Sequence, residues 1–379
     1  MIKVLHLRDT DRVCGPGKTI LETACRVDAA HFELAIGLLM LEHEKTNQYL
    51  EAARGRGVRV LPLRARSQFS PAIIDVIAGT VRREGFDIIH SHEYKSDILA
   101  VLAARRCGVP IVTTAHGWIT NSFKSRVYIW AGKQSFRFFD RVIAVSPRIR
   151  EEILRFGVHP GRVELIYNAI VMDNYRPAEH EAGFLRQRFE IPPDATLIGD
   201  IGRLSPEKGQ IEFLRAAREL LRERPQGLYF VLVGDGPDRP RLEDWVRREG
   251  LTGRVFFTGH EYDVRPVYRD LDILALTSYT EGFPNVLLEA LCMDVPVLAS
   301  DVGGVSAIVE DGVTGIMVPD HDAGAVARGL RRMLDDPALC RDMVACGQAR
   351  IRERFEFSVR VAKIQDLYRQ VLSGRQLRG

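Results

Sequence analysis

None of the six cysteines of this 379-residue chain, Cys14, Cys25, Cys107, Cys292, Cys340 and Cys346, belongs to a C-x-x-C pair. The paired spacing of zinc ribbons and of thioredoxin-like redox sites is therefore absent. No apolar stretch approaches the ~18–20 residues of a membrane span, and the runs near Val142, Leu197 and Val231 are strand-sized. The opening Met-Ile-Lys-Val-Leu-His-Leu is too short and too soon charged for a signal peptide, so a cytoplasmic protein with free thiols is expected. Low-complexity tracts and internal repeats are missing. A large charge of one sign is missing too, with 53 Lys and Arg against 50 Asp and Glu. Within that balance the first 180 residues hold 26 basic against 19 acidic residues. Such a basic half suits phosphorylated molecules or an anionic membrane surface, or is merely a solvated face.

What is present is a chain long enough for two or three domains. Short Val- and Ile-rich runs alternate with amphipathic segments: Ile2–Leu7 and a helix from about Thr19, Phe86–His90 and a helix over Asp97–Cys107, then Ile111–Thr114, Arg141–Ala144 and Val163–Ile166. The pattern restarts with Leu197–Ile201, a helix over Gln210–Arg222, Tyr229–Val233, a helix near Arg239–Arg248, Val255–Thr258, Ile273–Leu276, a helix over Asn285–Cys292 and Val297–Ser300. This alternation predicts an α/β architecture of two doubly wound parallel sheets joined by a linker near Asn168–Pro193. The expected division is residues 1–175, residues 176–357 and a closing helix in 358–379 that packs back across the domains. In such folds ligands sit outside the carboxyl ends of the strands, which places the expected site in a cleft between the halves.

In the first half, Cys14-Gly15-Pro16-Gly17-Lys18-Thr19 reads as a small-residue turn leading into a helix, where backbone N–H groups favour an anion. A P-loop is excluded, because position 12 holds Arg12 where that motif needs glycine. Gly15 and Gly17 either lie against a phosphate or serve a turn that requires positive φ. His116, at the end of Thr113-Thr114-Ala115-His116-Gly117-Trp118, is a site candidate or a structurally satisfied histidine. His90 and His92 form an H-x-H with no further ligand cluster evident, so zinc is not expected.

In the second half, Gly202-Arg203-Leu204-Ser205-Pro206-Glu207-Lys208-Gly209 places two cations on a strand-to-helix loop, where Arg203 and Lys208 can clamp a diphosphate. The segment Glu281-Gly282-Phe283-Pro284-Asn285-Val286-Leu287-Leu288-Glu289 spaces two carboxylates across a helix start. Gly282 lets the backbone approach a ligand, the first free N–H groups lie near Asn285 and Val286, and Glu289 can accept from a ribose diol. The structural alternative makes Glu281 a helix cap and Glu289 a surface charge. Asp270-Leu271-Asp272 has a metal-binding spelling, but its place before an apolar strand argues for a helix end.

Together, Gly202-Arg203-Leu204 to Lys208-Gly209, Val233-Gly234-Asp235-Gly236-Pro237, Thr258-Gly259-His260, Glu281 to Glu289 and Pro296-Val297-Leu298-Ala299-Ser300-Asp301-Val302-Gly303-Gly304 resemble the retaining glycosyltransferases of family four, which have the two-domain GT-B fold. Ser91-His92, His116-Gly117, Ala144-Val145-Ser146 and Tyr167-Asn168-Ala169 look like weaker landmarks of the same family. The resemblance implies catalytic roles for Glu281 and His116, with Glu281 on the transferred sugar and His116 facing it from the other domain. It implies Arg203 and Lys208 on the donor diphosphate with Gly15, Gly17, Asn285 and Val286, Glu289 on the ribose, and Gly282 and Phe283 on the donor sugar. The implied reaction transfers a sugar from a nucleoside diphosphate sugar, UDP before GDP, to a glycan or lipid-linked acceptor in polysaccharide or glycoconjugate synthesis. It proceeds without a metal or a resident cofactor, through a front-face mechanism in which a phosphate oxygen of the leaving nucleotide takes the acceptor proton. An epimerase or phosphorylase of the same fold, or a non-catalytic sugar-nucleotide-binding protein, are the alternatives.

One departure concerns the acceptor side: the family's Gly-Gly-x-Glu-like stretch is here Gly15-Pro16-Gly17-Lys18, which suggests a more anionic acceptor. The stretch Trp118–Arg155 interleaves Trp118, Phe123, Tyr128, Trp130, Phe136, Phe138 and Phe139 with Lys124, Arg126, Lys133, Arg137 and Arg141. On one helix these would suit an anionic membrane surface on the inner face, or else form a core helix with a basic side. No nucleic-acid-binding motif accompanies them, so nucleic acid is not an expected partner.

Overall fold

The computed structural model describes residues 1–10, 15–66, 71–116, 132–177 and 182–376. Two compact units emerge, one of residues 1–168 with 357–379, the other of residues 169–356. The division falls at Asn168/Ala169, a few residues before the expected 175. The closing helix, Phe357–Gln376, belongs to the first unit.

The first unit holds a seven-stranded parallel sheet of β1 (Ile2–Arg8), β2 (Phe32–Leu41), β3 (Val60–Ala65), β4 (Ile88–Ser91), β5 (Ile111–Ala115), β6 (Arg141–Ala144) and β7 (Val163–Leu165), in the order β3-β2-β1-β4-β5-β6-β7. The strands are apolar on both faces, as a parallel sheet covered by crossover helices requires. Val4, Phe32, Leu34, Ile88, Val112 and Ile143 pack against Ile364, Leu367, Tyr368 and Val371 of the last helix. Further along β2, Ile36, Leu38 and Met40 meet Ile20 and Leu21 of the first helix and Tyr49 and Leu50 of the second. The first helix spans Gly15–Arg26, four residues earlier than the expected Thr19. Proline is tolerated in a first turn because those N–H groups have no intrahelical partner.

The second unit holds a six-stranded parallel sheet of β8 (Thr196–Ile201), β9 (Leu228–Val233), β10 (Val255–Gly259), β11 (Ile273–Leu276), β12 (Val297–Ser300) and β13 (Ile316–Val318), in the order β10-β9-β8-β11-β12-β13. The helix Gln210–Glu223 places Phe213, Leu214, Ala217 and Leu220 at helical spacing against Ile198, Phe230 and Leu232, where Val326 and Leu330 of the helix Ala323–Asp335 join them. Each leucine so buried contributes about 1.5–3 kcal/mol.

In both sheets the order reverses beside the first strand of the unit, between β1 and β4 and between β8 and β11. Crossovers leave in opposite directions there, which opens a crevice at the carboxyl ends of the strands. The candidate residues lie at these ends.

Candidate functional site

In the second unit, Lys208 follows β8 and Glu281 follows β11. Lys208 Nζ and Glu281 Oε1 form an ion pair of 2.6 Å, and Ser278 Oγ donates to the same oxygen at 2.6 Å. The Glu281 side chain is 8% exposed, so the pair is more than a surface contact. Two glycines hold its ends. Gly209 has φ 61°, and a Cβ there would overlap the Thr277 carbonyl oxygen; Gly303 has φ 59°, and a Cβ there would overlap the carbonyl oxygen of Glu281 itself. The Lys208 loop and the Gly303 turn thus press against the backbone leaving β11 closer than any other residue permits.

Behind the pair lies Asp200, 1% exposed, with Gln210 Nε2 donating at 3.4 Å and Thr277 Oγ1 at 3.5 Å. Burial pushes its carboxyl up to about 7. Arg203 is exposed and has no ion pair among the described residues. Its carbonyl oxygen accepts from Gln210 Nε2 at 3.0 Å, which fixes the loop while leaving the guanidinium available. A cation without an ion pair among the described residues and a half-engaged one on a single loop can both pair with an anion.

The helix Asn285–Cys292 begins after Pro284 with no side-chain cap, so its first N–H groups, those of Asn285 and Val286 included, depend on some other acceptor. The Asn285 Oδ1 is buried without a partner among the described residues. One turn on, Glu289 accepts from Tyr175 Oη at 3.1 Å and from Tyr268 Oη at 2.9 Å, one bond on each oxygen. It is therefore an oriented, half-buried carboxylate and not loose surface charge, with lone pairs left for a diol. Phe283 is 7% exposed and packs on Phe355 with ring centroids 5.5 Å apart, so at Gly282 and Phe283 only backbone remains for a ligand.

The D-x-D spelling has a structural explanation. Asp270 accepts from the backbone N–H groups of Gly183 and Leu185 and so caps the helix Phe184–Arg188. Asp272 accepts from Leu197 N at 2.7 Å and Arg186 Nη2 at 3.1 Å.

In the first unit, Arg8 ends β1 fully buried. Its Nη1 pairs with Glu93 Oε1 at 2.8 Å, and its guanidinium lies 4.5 Å from the Tyr49 ring centroid. Gly17 is accounted for here. A Cβ at Gly17 would sit 2.8 Å from Arg8 Nη2 and 3.0 Å from the Tyr49 ring. Gly17 has no positive φ and lies in the first turn of the helix Gly15–Arg26, so a helix start stands where a tight turn is expected, and the smallness of Gly17 serves the packing of Arg8. Lys18 points to solvent on the first turn.

Around Arg8 the ionisable groups are driven toward neutrality. Burial raises Glu93 to about 8 against the pull of Arg8. It raises Asp97 to about 7 although Ser91 Oγ and Thr113 Oγ1 donate to it at 2.6 and 2.7 Å. His116 follows β5, and burial lowers it to about 3; neither ring nitrogen has a partner among the described residues. Its ring stacks on His92 at 5.8 Å between centroids.

The structure corrects the reading of the H-x-H. His6, on β1, brings a third imidazole to His90 and His92, with ligand atoms within 4.8 Å of one another. Five of their six ring nitrogens are already used in hydrogen bonds to one another, to Thr114 and to Tyr368. His6 lacked a sequence signal, because it joins only through the pairing of β1 with β4, where it stands opposite His90. Tyr175, Tyr268 and Ser278 were likewise unmarked; Asp200 at least sits inside the Gly199-Asp200-Ile201-Gly202 run.

The basic and aromatic stretch is not one helix where it is described. Residues 117–131, among them Gly117 and Trp118, lie outside the described residues. Beyond them come a 3-10 turn at Phe136–Phe138, β6 and the helix Pro147–Arg155. Phe136 and Phe139 are buried, Lys133 pairs with Glu152 at 3.5 Å, and Arg137 Nε donates to the Phe156 carbonyl at 2.8 Å. These cations are engaged with the protein itself. No described helix is long and apolar enough to cross a membrane.

Known proteins resemble this chain over most of its length. Residues 15–174 match Glycosyltransferase Family 4, and residues 182–350 match Glycosyl transferases group 1. The chain is 31% identical over 318 residues to a D-inositol 3-phosphate glycosyltransferase of Streptosporangium roseum, covering 77% of this chain and 72% of that protein. It is 30% identical over 308 residues to an alpha-D-kanosaminyltransferase of Streptomyces kanamyceticus, covering 77% and 79%. Among solved structures, Anabaena HepE in complex with UDP superposes with a TM-score of 0.83 at 22% identity, covering 97% of this chain and 99% of that one. The two doubly wound sheets are those of the GT-B fold, and the chain belongs to the family-four glycosyltransferases, the glycosyl transferases of group 1.

Proposed function

We propose that the protein transfers a sugar from a nucleoside diphosphate sugar, UDP-linked in preference to GDP-linked, to an anionic or lipid-linked glycan-type acceptor with retention of anomeric configuration. The observation that carries this reading is the Lys208–Glu281 pair beside the exposed Arg203, which has no ion pair among the described residues, at the switch point of the second sheet. Arg203 and Lys208 meet the diphosphate, and the uncapped N–H groups at Asn285 and Val286 add hydrogen bonds to it. Glu289 takes the ribose diol, and Glu281 takes the sugar hydroxyls as Lys208 turns to the phosphates. When the sugar–phosphate bond breaks, negative charge grows on the leaving diphosphate, and cations already fixed in place stabilise it without reorganisation. A phosphate oxygen then takes the acceptor proton, so no protein base is required. Asp270 and Asp272 are occupied with backbone and with Arg186, which supports a reaction without a metal held by that motif.

Two observations support the choice of partners. HepE, a structural relative, is described with UDP and with UDP-glucose, and several sequence relatives are named for D-inositol 3-phosphate, a phosphorylated molecule. The exposed Lys18 in place of the family's acid fits an acceptor with negative charge.

The test is a thermal-shift panel of UDP, GDP, ADP and UDP-glucose with chelator present. A nucleotide at a hundred times its Kd adds about 2.7 kcal/mol, which is easily seen. Stabilisation by UDP and UDP-glucose above the others is expected, followed by release of the α-anomer when UDP-glucose is turned over. Stabilisation only by GDP, or only with a divalent metal, would overturn the donor assignment, and a β-product would overturn retention.

A further inference from the structure

Five buried side chains of the first unit form one continuous hydrogen-bonded chain. Thr114 Oγ1 meets His90 Nε2 at 2.8 Å, His90 Nδ1 meets Tyr368 Oη at 2.6 Å, Tyr368 Oη meets His6 Nε2 at 3.2 Å, and His6 Nδ1 meets His92 Nε2 at 2.8 Å. None of the five is more than 6% exposed. The chain ends at His92, whose Nδ1 has no partner among the described residues and whose ring stacks on His116.

The rings are neutral, because burial takes His6 to about 3 and keeps His90 and His92 well below the ordinary histidine value. A neutral imidazole has one N–H and one lone pair, and a hydroxyl has one proton to give. A ring that accepts on one nitrogen must then donate from the other, and a Tyr368 hydroxyl that accepted from both rings would strand its own proton, so the whole chain runs in one of two directions. Run from Thr114, every hydroxyl proton is used, and His92 is left with a proton on Nδ1. Run toward Thr114, the Thr114 proton has no acceptor among the described residues, and His92 is left with a bare lone pair. The first direction becomes fully satisfied when one ligand oxygen accepts from His92; the second still strands the Thr114 proton inside the core.

We infer that the chain runs from Thr114 to His92, that His92 therefore offers an Nδ1–H donor beside His116 to a ligand oxygen, and that Tyr368 is the positioning residue that carries this direction through. Tyr368 lies 278 residues from His90 and 362 from His6, so the last helix does more than cover the sheet: it sets which kind of ligand group His92 accepts. A ligand hydroxyl that needs an acceptor at that point is disfavoured, and an oxygen lone pair is favoured. This polarity belongs to the first unit alone and holds whichever nucleotide the second unit takes.

The test is ¹⁵N NMR of the full chain labelled at histidine, with His92 assigned by its loss in His92→Gln. In the wild type, His92 is expected to carry its proton on Nδ1, the minor form of a free neutral imidazole. Tyr368→Phe and Thr114→Val each break the chain and are expected to abolish the Nδ1–H signal in favour of Nε2–H. Thr114→Ser keeps the hydroxyl and is expected to retain it. A wild-type His92 protonated on Nε2 overturns the inference before any variant is made. An unchanged His92 in both Tyr368→Phe and Thr114→Val overturns the role of the chain. A helix that merely packs would move stability in these variants but not the tautomer of a ring two links away.

Discussion

At the carboxyl ends of the first sheet burial drives the ionisable groups toward neutrality, with Glu93 near 8, Asp97 near 7 and His6 and His116 near 3. At the corresponding ends of the second sheet an ion pair and an exposed arginine stand where backbone, not desolvation, defines their positions. Asp200 there is strongly desolvated, and it lies behind the pair rather than in it. The difference matches two tasks. A site for a diphosphate must keep its cations charged, whereas a site that reads hydroxyls and oxygen lone pairs gains from neutral groups whose donor and acceptor sides are fixed. The same fold supplies both because the switch point gathers loops, and the loop residues decide the chemistry.

The comparison can be broken most severely at Gly303. Gly303→Ala places a methyl group on the Glu281 carbonyl in a left-handed backbone, so the second unit should lose about 2–5 kcal/mol from strain and overpacking. Binding of UDP should fall with it, while the histidine signals of the first unit stay as they were. Denaturant unfolding followed separately by those signals and by those of His260 and His321 in the second unit checks this. Next, Lys208→Ala leaves the Glu281 carboxylate with Ser278 alone, and should cost about 1–3 kcal/mol of stability as well as nucleotide affinity. A loss of affinity with no loss of stability would mean that the pair does not hold the loop.

Asp270→Ala separates structure from chemistry. The loss of a helix cap should lower stability by about 0.5–2 kcal/mol, with turnover insensitive to chelator in both forms. Activity that a chelator abolishes in the wild type would restore the D-x-D to the reaction.

A further effect is one of pH. The folded Asp97 has its pKa raised to about 7, above the ~3.9 of an unfolded chain. Its protonated form is thus favoured on folding, its contribution is intact below about pH 4, and stability is lost as pH rises toward 7. Asp97→Asn removes that dependence and still accepts from Ser91 and Thr113. Relative to the wild type the variant should gain stability between pH 4.5 and pH 8, by a few kcal/mol at most. Urea midpoints at the two pH values decide it, and an unchanged difference would mean that Asp97 is ionised in the fold.

Much of the second unit was legible because its candidate residues are contiguous. Arg203 and Lys208 share one loop, Glu281 to Glu289 share one turn and helix, and the helices Arg239–Arg248 and Asn285–Cys292 fall where the apolar spacing put them. Strands β6, β11 and β12 also match their expected bounds, since buried parallel strands are continuous apolar runs. The first unit was less legible because its site is assembled by pairing. His6 meets His92 across 86 residues, and Tyr368 reaches both His6 and His90 from the far end of the chain. Gly-Pro-Gly concealed a helix start, because its residues belong equally to turns and to first turns. Strands β2 and β3 were not singled out, although β2 is ten residues of almost uninterrupted apolar sequence. Glu289 showed its position in the sequence but not its two tyrosines, which come from Tyr175 and Tyr268, outside its helix.

The central claim, that charge in the second unit is kept for a diphosphate, is tested most directly by calorimetric titration of UDP and of uridine into wild type and Arg203→Ala. Arg203 has no ion pair to lose among the described residues, so stability should be unchanged, UDP should bind about 10- to 100-fold more weakly and uridine equally well, as the loss of one or two charge-assisted hydrogen bonds implies. Equal weakening of UDP and uridine, or no weakening of either, would contradict the account.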